Sequence, residues 1–506
     1  MLSRRDLLLG SSALLLSSLV RTPASARASF KSDPFKLGVA SGSPRPQSVV
    51  LWTRLAPDPL HGGGLDPEPI EVKWEIAQDE SFHKIVKSGK ATASPVYAHS
   101  VHAEVKGLEP AKSYYYRFMA GDAVSPVGQT RTAVAKNSLD PLRFTFASCQ
   151  MFEQGYFTAQ KHMANEDLDL VVFLGDYIYE HSWGKNDVRK HEADEVKTLD
   201  QYRNRYACYK GDADLLLCHS RFPWIVTWDD HEVENDYAND RGEDLAKDFL
   251  ARRGAAYQAF YEHMPLPPSC APHNSSMRIY QAFDFGQMAR FHVLDDRQYR
   301  DYQVCPKPGR AGSNYVADCP ERNDPKRTLL GWEQEKWLAD SLKSSAASWD
   351  IIAQQTLMAQ VNRDNGKSWT DGWDGYTAAR RRLLEAASSR SGRDTIVVGG
   401  DIHAYAVSDL KLDYNDPNAK TVATEFCGTS ISSQGPAARE ADAVEKNNKH
   451  IQYFNGELRG YVKVALGKEK AEVTLRSIES EKVANSPIKD LRKFVVEKGK
   501  PGAQQV

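Results

Sequence analysis

Apolar residues in the first quarter of the chain fall in short runs that alternate or cluster, with Gly and Pro between them. Val49-Val50-Leu51-Trp52-Thr53-Arg54, Ile70 to Ile76, His102 to Val105 and Tyr114 to Met119 each fit a strand, so residues 35 to 133 read as all-β. Ala133 to Asp140 is polar and reads as a linker. From Pro141 the period changes. Short apolar strands alternate with helical stretches at Tyr156 to Glu166, Glu243 to Glu262 and Gly331 to Leu342, the pattern of an α/β domain. A late hairpin is predicted from Tyr461 to Ile478, turning at Gly467-Lys468-Glu469-Lys470. The remaining residues are charged, contain Pro487 and Pro501, and read as a tail with helical character at Ile488 to Val495.

Within the α/β region, apolar strands repeatedly run into residues able to hold a metal. Leu142 to Ala147 ends in Ser148-Cys149. Leu168 to Leu174 ends in Gly175-Asp176-Tyr177-Ile178-Tyr179. Phe222 to Thr227 ends in Trp228-Asp229-Asp230-His231-Glu232, and Thr395 to Val398 in Gly399-Gly400-Asp401-Ile402-His403. Ligand sites of α/β sheets form outside the carboxyl ends of strands, so these ends point to one shared metal site. Ala289 to Leu294 before Asp295-Asp296-Arg297 adds a cation beside it.

The donors differ in kind. Thiolate from Cys149 and phenolate from Tyr179 suit a ferric ion, carboxylate and amide oxygens from Asp230, Asn235 and Asp236 suit calcium, magnesium or manganese, and Asp176 has two oxygens with which to bridge two metals. His403 lies two residues past Asp401, which puts both on one face of an extended segment. Two metals a few Å apart suit displacement at phosphorus, because they polarise phosphoryl oxygens and generate hydroxide at working pH. His231 would touch the substrate, and Arg297 would grip a phosphate oxygen. Each residue alone has a structural alternative: a turn, a buried thiol, a core tyrosine or a salt bridge. Counting excludes a cysteine phosphatase, since Gly155 stands where its loop arginine would be. No nucleophile elbow and no Walker loop is present.

The 506 residues carry a formal charge of −2, which excludes a global attraction to nucleic acid or an acidic membrane. Arg4-Arg5 ahead of the apolar run Leu7 to Val20, with small residues at Ala24, Ala26 and Ala28, reads as a twin-arginine signal peptide over 1–28. No other segment reads as a membrane anchor. The expected partners are therefore the twin-arginine export machinery and small phosphate esters, and the expected compartment is periplasmic or extracellular. Of seven cysteines, giving Cys149 to the metal leaves an even set. Cys208 with Cys218 and Cys305 with Cys319 are the natural local pairs, leaving Cys270 and Cys427.

Taken together, Phe146-Ala147-Ser148-Cys149-Gln150, Gly175 to Glu180, Trp228 to Glu232, Asp296-Arg297-Gln298-Tyr299-Arg300 and Gly399 to His403 resemble the motifs of PhoD-type alkaline phosphatases of the calcineurin-like metallophosphoesterase superfamily. The resemblance extends to the small β region opening Gly38-Val39-Ala40-Ser41-Gly42, where Tyr114 follows Gly107-Leu108-Glu109-Pro110 as at a corner of a fibronectin type III sandwich. It implies a four-layer α/β/β/α sandwich over residues 140–478, a fibronectin type III-like β domain over 33–135 and a tail over 479–506. It also implies Fe³⁺ held by Cys149, Asp176, Tyr179 and His403. Ca²⁺ would be held by Asp176 and Asp401, with Asp230 or Asn235 completing that side. The superfamily's Gly-Asn-His-Glu reads Asp-Asp-His-Glu here, with Asp230 in the place of the Asn. The implied activity is hydrolysis of phosphate monoesters, and of some diesters, by a metal-bound hydroxide or oxide. A phosphodiesterase or phospholipase-like esterase is the enzyme alternative, and a metal-binding surface protein the non-enzyme one.

Overall fold

Strand Leu170–Phe173 shows how the core is divided. Leu170 and Val172 point into one cluster of buried side chains, and Val171 and Phe173 into another. A strand buried on both faces carries consecutive apolar residues rather than an alternation with polar ones. In the computed structural model, which describes residues 29–506 apart from 185–186, 365, 390–393 and 417, this strand lies inside a ten-stranded sheet. The order across that sheet is Lys500–Gln505, Ile488–Glu497, Lys470–Ile478, Gly460–Leu466, Leu142–Ala147, Leu170–Phe173, Pro223–Val226, Val39–Arg45, Ser48–Arg54 and Ser100–Lys106. The expected signal peptide, residues 1–28, lies outside the described residues.

A seven-stranded sheet packs against it, ordered Gln281–Phe285, Ala289–Val293, Trp349–Ala353, Asp394–Gly399, Thr421–Cys427, Tyr405–Lys411 and Ile451–Asn455. Phe144, Phe146 and Val462 of the first sheet meet Phe291, Ile351 and Val398 of the second in one core. Helices Thr158–Ala164, Leu199–Lys210, Ala213–Arg221 and Phe249–His263 contribute to the core on the outer face of the first sheet. Trp332–Ser344 and Thr377–Ser388 do so for the second. The architecture is the expected α/β/β/α sandwich. The helix expected from Glu243 begins only at Phe249, after a loop that feeds the site.

The N-terminal region is a β-sandwich. Ile85–Ala93, Ile70–Ala77 and Ser113–Ala120, with Ala123–Val124 and Gly128–Arg131 both paired to the last, form its outer sheet, and Val72, Tyr116 and Phe118 pack on Val49, Leu51 and Val105. The Tyr114 hydroxyl accepts the Glu109 amide at 3.0 Å and closes the expected corner. Its inner strands continue the large sheet, because Val39–Arg45 runs parallel to Pro223–Val226. Gly42 permits this contact: a Cβ there would lie 2.7 Å from the Trp224 carbonyl oxygen.

The C-terminal residues correct the sequence reading. Ile488–Glu497 and Lys500–Gln505 are a hairpin on the edge of the large sheet, neither a loose tail nor a helix. Phe494, Val496 and Ala503 enter the inter-sheet core, while charged neighbours face outward. Only a few alternate positions carry the apolar signal, because one face of this edge is solvated, and Pro501 is tolerated there.

The cysteines are corrected in part. Cys305 and Cys319 form a disulfide. Cys208 and Cys218 are separate thiols on two packed helices, with Cys218 inside the helix-side core. Cys270 and Cys427 cannot pair, since they belong to core clusters on opposite outer faces of the sandwich.

Phe494→Ala is expected to lower unfolding stability by about 3 kcal/mol, the cost of a large core truncation. Urea denaturation measures it; a residue in a free tail would show no change.

Candidate metal centre

The carboxyl ends of the strands meet at one edge of the sandwich. The Cys149 thiol, an Asp176 carboxylate oxygen and a His403 ring nitrogen all lie within 4.8 Å of one another. The Tyr179 hydroxyl joins them, 3.1 Å from Asp176 Oδ2 and 2.9 Å from His403 Nε2. The backbone is bent to achieve this. Cys149, Asp176, Asp401 and His403 adopt φ of +59°, +53°, +65° and +52°. For side chains other than Gly such left-handed geometry costs about 1–2 kcal/mol per residue, and it concentrates at functional sites. Gly175, at φ +113°, allows the Asp176 turn, since a Cβ would meet the Asp229 amide nitrogen at 2.6 Å.

Buried polar side chains lock these turns. Glu232 accepts the amides of Asp176, Tyr177 and Asp229, tying two strand ends together. Gln355 donates to Thr227 Oγ1, Trp228 O and Leu294 O, and its own carbonyl accepts the Gly400 amide, so strand ends of both sheets are stitched. Ser433 Oγ lies 2.8 Å from the Cys149 carbonyl and 2.7 Å from the Tyr179 hydroxyl. His403 Nδ1 donates to the Gln434 carbonyl at 2.7 Å, because a carbonyl can only accept. That leaves Nε2 with its lone pair toward the cluster, the arrangement of a metal-binding histidine.

A second group shares Asp176: Asp176, Asp230 and His231 also bring their ligand atoms within 4.8 Å. Asp230, Asp236 and Asp371 make a further all-oxygen group beside it. Asp401 stands at the rim, its carboxylate receiving the Thr356 hydroxyl at 2.5 Å. Asn235 lines the same cavity, but its side-chain amide donates to Glu243 at 3.2 Å. Asp230 is clustered with Asp176, and Asn235 lines the cavity beside it with its side-chain oxygen not engaged by that bond.

Arg297 does not take the place expected of it. It is 1% exposed, does not line the cavity, and donates to Asp229 and, at 2.7 Å, to Asp371. Its guanidinium lies 3.6 Å from Asp230. A cation inside this carboxylate network positions side chains and balances their charge. The strand-end motif located Arg297 but could not reveal Asp371, which arrives on a loop far along the chain and also binds Arg300 at 3.0 Å.

His231 is supported by a residue that sequence reasoning passed over. Its Nδ1 donates to Glu180 Oε2 at 2.7 Å, and Glu180 Oε1 accepts the Asn235 amide at 2.8 Å. Glu180 stands directly after Tyr179, so the signal was in the motif already. Burial opposes a charge on His231, but Glu180, Asp230 and Asp176 outweigh it and raise its pKa well above the usual imidazole value.

The electrostatics fit a cation. Burial raises the pKa values of Asp230 and Asp401, and that of Asp236 to about 7, with neighbouring carboxylates adding to each shift. Burial likewise raises the Cys149 thiol and the Tyr179 phenol well above their ordinary values, with Asp176 adding to both. Asp176 Oδ1 is buried without a hydrogen-bond partner. Clustered anionic donors, an orphaned carboxylate oxygen and a correctly turned histidine together make a site that metal ions would complete. Above it opens a cavity of about 310 Å³, lined by Asp176, Asp230, His231, Asp401 and His403 at its polar end.

Known proteins resemble this chain along most of its length. Residues 144–475 match the model of the PhoD-like phosphatase family, and residues 21–134 that of the PhoD-like phosphatase N-terminal domain. The chain is 47% identical over 494 residues to alkaline phosphatase D of Bacillus subtilis (strain 168), spanning 94% of this chain and 83% of that protein. It is 22% identical over 376 residues to purple acid phosphatase 23 of Arabidopsis thaliana, over 70% of each. A solved structure of PhoD superposes with a TM-score of 0.90 at 46% identity, covering 95% of this chain and 93% of that one. Purple acid phosphatase PPD1 from yellow lupin (Lupinus luteus) seeds shares the fold, with a TM-score of 0.59 at 11% identity over 91% of this chain and 74% of that one.

Asp401→Asn is expected to stabilise the metal-free protein near neutral pH by about 1 kcal/mol, on the scale of a pKa unit. The sign follows from the raised folded pKa: an acid harder to ionise when folded costs stability above its unfolded pKa, and an amide carries no such cost. The same variant should lose most of the thermal stabilisation that added metal ions give the wild type. Thermal melts with and without metal check both.

Proposed function

The chain belongs to the PhoD-like phosphatase family, and we propose that it is an exported phosphatase that releases phosphate from monoesters, and more slowly from diesters, at a mixed Fe³⁺/Ca²⁺ centre. The observation that carries this reading is the shared Asp176 carboxylate. On one side of it stand the thiol, phenol and imidazole of Cys149, Tyr179 and His403; on the other stands Asp230, with Asp401 at the rim. Anionic thiolate and phenolate donors stabilise the high charge of ferric iron, and carboxylate oxygens suit calcium. When bound, such ions would polarise the phosphoryl oxygens and activate water.

The side chains of the chain itself do the rest. Asp176, Asp230 and Asp401 line the cavity and would hold the ions that bind the phosphate, since bare carboxylates repel it. His231 is held by Glu180 through Nδ1, which leaves Nε2 as the ring nitrogen able to give a proton to the leaving alcohol oxygen. Arg297, anchored by Asp229 and Asp371, keeps Asp230 in place and offsets the negative charge beneath the site. Trp183 stands against His231, with ring centroids 5.9 Å apart, and limits its rotation.

Diesters are a second class because the cavity extends beyond the polar floor and leaves room for a further substituent. Export is supported by the paired-arginine leader and by the Cys305–Cys319 disulfide, which suits an oxidising compartment. No helix among the described residues is long and apolar enough to cross a membrane.

The purified protein should carry about one iron per chain together with calcium, and show the visible charge-transfer band expected of thiolate and phenolate on a ferric ion. Cys149→Ser should bleach that band and depress hydrolysis. A colourless protein holding only zinc overturns the mixed-metal reading.

Glu180→Gln should slow cleavage of alkyl phosphates by about 100-fold, the usual worth of positioned acid catalysis, and of p-nitrophenyl phosphate far less. A leaving group that departs unaided does not need the proton. Equal loss on both substrates would reduce Glu180 to a packing role.

A further inference from the structure

The cavity has a second half that the phosphate chemistry does not use. Beyond the carboxylates its walls are Trp183, Tyr315, Leu357, Val361, Trp369 and Phe454. Tyr315 and Trp369 come from a small ribbon, Tyr315–Val316 paired antiparallel with Ser368–Trp369, in which these two residues stand directly opposite each other. Directly paired residues present their side chains on the same face. Arg363 lies 4.8 Å from the Tyr315 ring centroid and steadies that ring.

The ribbon is built to hold its position. The Cys305–Cys319 disulfide closes the loop that carries Tyr315, and Asn314 Nδ2 donates to the Cys305 carbonyl at 2.9 Å. Asn314 and Thr370 bond across the ribbon, at 2.9 and 3.1 Å. The Ser313 amide donates to Asp236 at 2.9 Å, and Asp371 follows directly after Thr370. The aromatic wall is thus tied to the carboxylate group beside the metal centre. A site that cleaved only small polar esters would have no use for a braced aromatic wall continuous with its floor.

We propose that this wall is a leaving-group subsite, and that the enzyme selects phosphate esters whose alcohol carries a flat apolar ring. The inference rests on the hydrolase reading above. With phosphate at the metal ions that Asp176, Asp230 and Asp401 would hold, the alcohol projects into the part of the cavity lined by Trp183, Tyr315 and Trp369. Ring-on-ring contact and removal of apolar surface from water supply the selection.

The test compares 2-(1-naphthyl)ethyl phosphate with ethyl phosphate, whose leaving alcohols are similar in acidity, using the metal-loaded protein; p-nitrophenyl phosphate checks only that the preparation hydrolyses esters. The naphthylethyl ester should have a kcat/KM at least about tenfold higher, as burial of a ring predicts. Trp369→Ala and, independently, Tyr315→Ala should each lower that ratio several-fold; Tyr315 is 47% exposed, so its loss does not endanger folding. Cys305→Ser with Cys319→Ser should lower the ratio in the same direction. A wild-type ratio near one, or a ratio unmoved by both aromatic substitutions, overturns the subsite. Failure to cleave any of the three esters overturns the hydrolase reading itself.

Discussion

Carboxylates from Asp176, Asp229, Asp230, Asp236, Asp371 and Asp401 crowd into one buried edge of the sandwich, with too few cations nearby to balance them. In a low-dielectric interior such repulsion is worth several kcal/mol, and a fold tolerates it only when the surrounding structure holds the groups in place. Much of the architecture answers that demand. Arg297 and Arg300 neutralise Asp371 and Asp229, Glu232 and Gln355 clamp the turns, and the remaining charge is left for metal ions to balance. The left-handed backbone at Cys149, Asp176, Asp401 and His403 is part of the same cost.

The two packed sheets make this possible. Their inner faces share one apolar core, so the carboxyl ends of their strands emerge side by side. Cys149 and Asp176 come from the larger sheet, and Asp401 and His403 from the smaller one. A metal centre assembled across the seam would couple the two halves. The Tyr315–Trp369 ribbon, tied to Asp236, extends the same rigid frame outward to the cavity wall.

Strand ends with ligand residues were legible because short doubly buried strands are unbroken apolar runs, and a Gly-Asp or Asp-His directly after one is conspicuous. Glu180 was equally visible beside Tyr179, but its role depends on a contact with His231 that spans 51 residues. Asp371, Ser433 and Gln434 sit on loops with no periodic signal. The C-terminal hairpin was misread because a solvated edge strand shows only scattered apolar positions among charges. Cys208 and Cys218 were misread because closeness along the chain says nothing of the direction in which two helical side chains point.

The order of strands and helices, the resemblance in motifs and the chemical kinds of the metal donors follow from local pattern alone, since each depends on neighbours in the chain. The tertiary structure decided which side chains gather around Asp176, that Arg297 is buried among carboxylates, and that aromatic residues line the same cavity. Those outcomes depend on long-range packing of two sheets and their loops. There a side chain's role is set by what surrounds it in space, and its place in a motif does not record that.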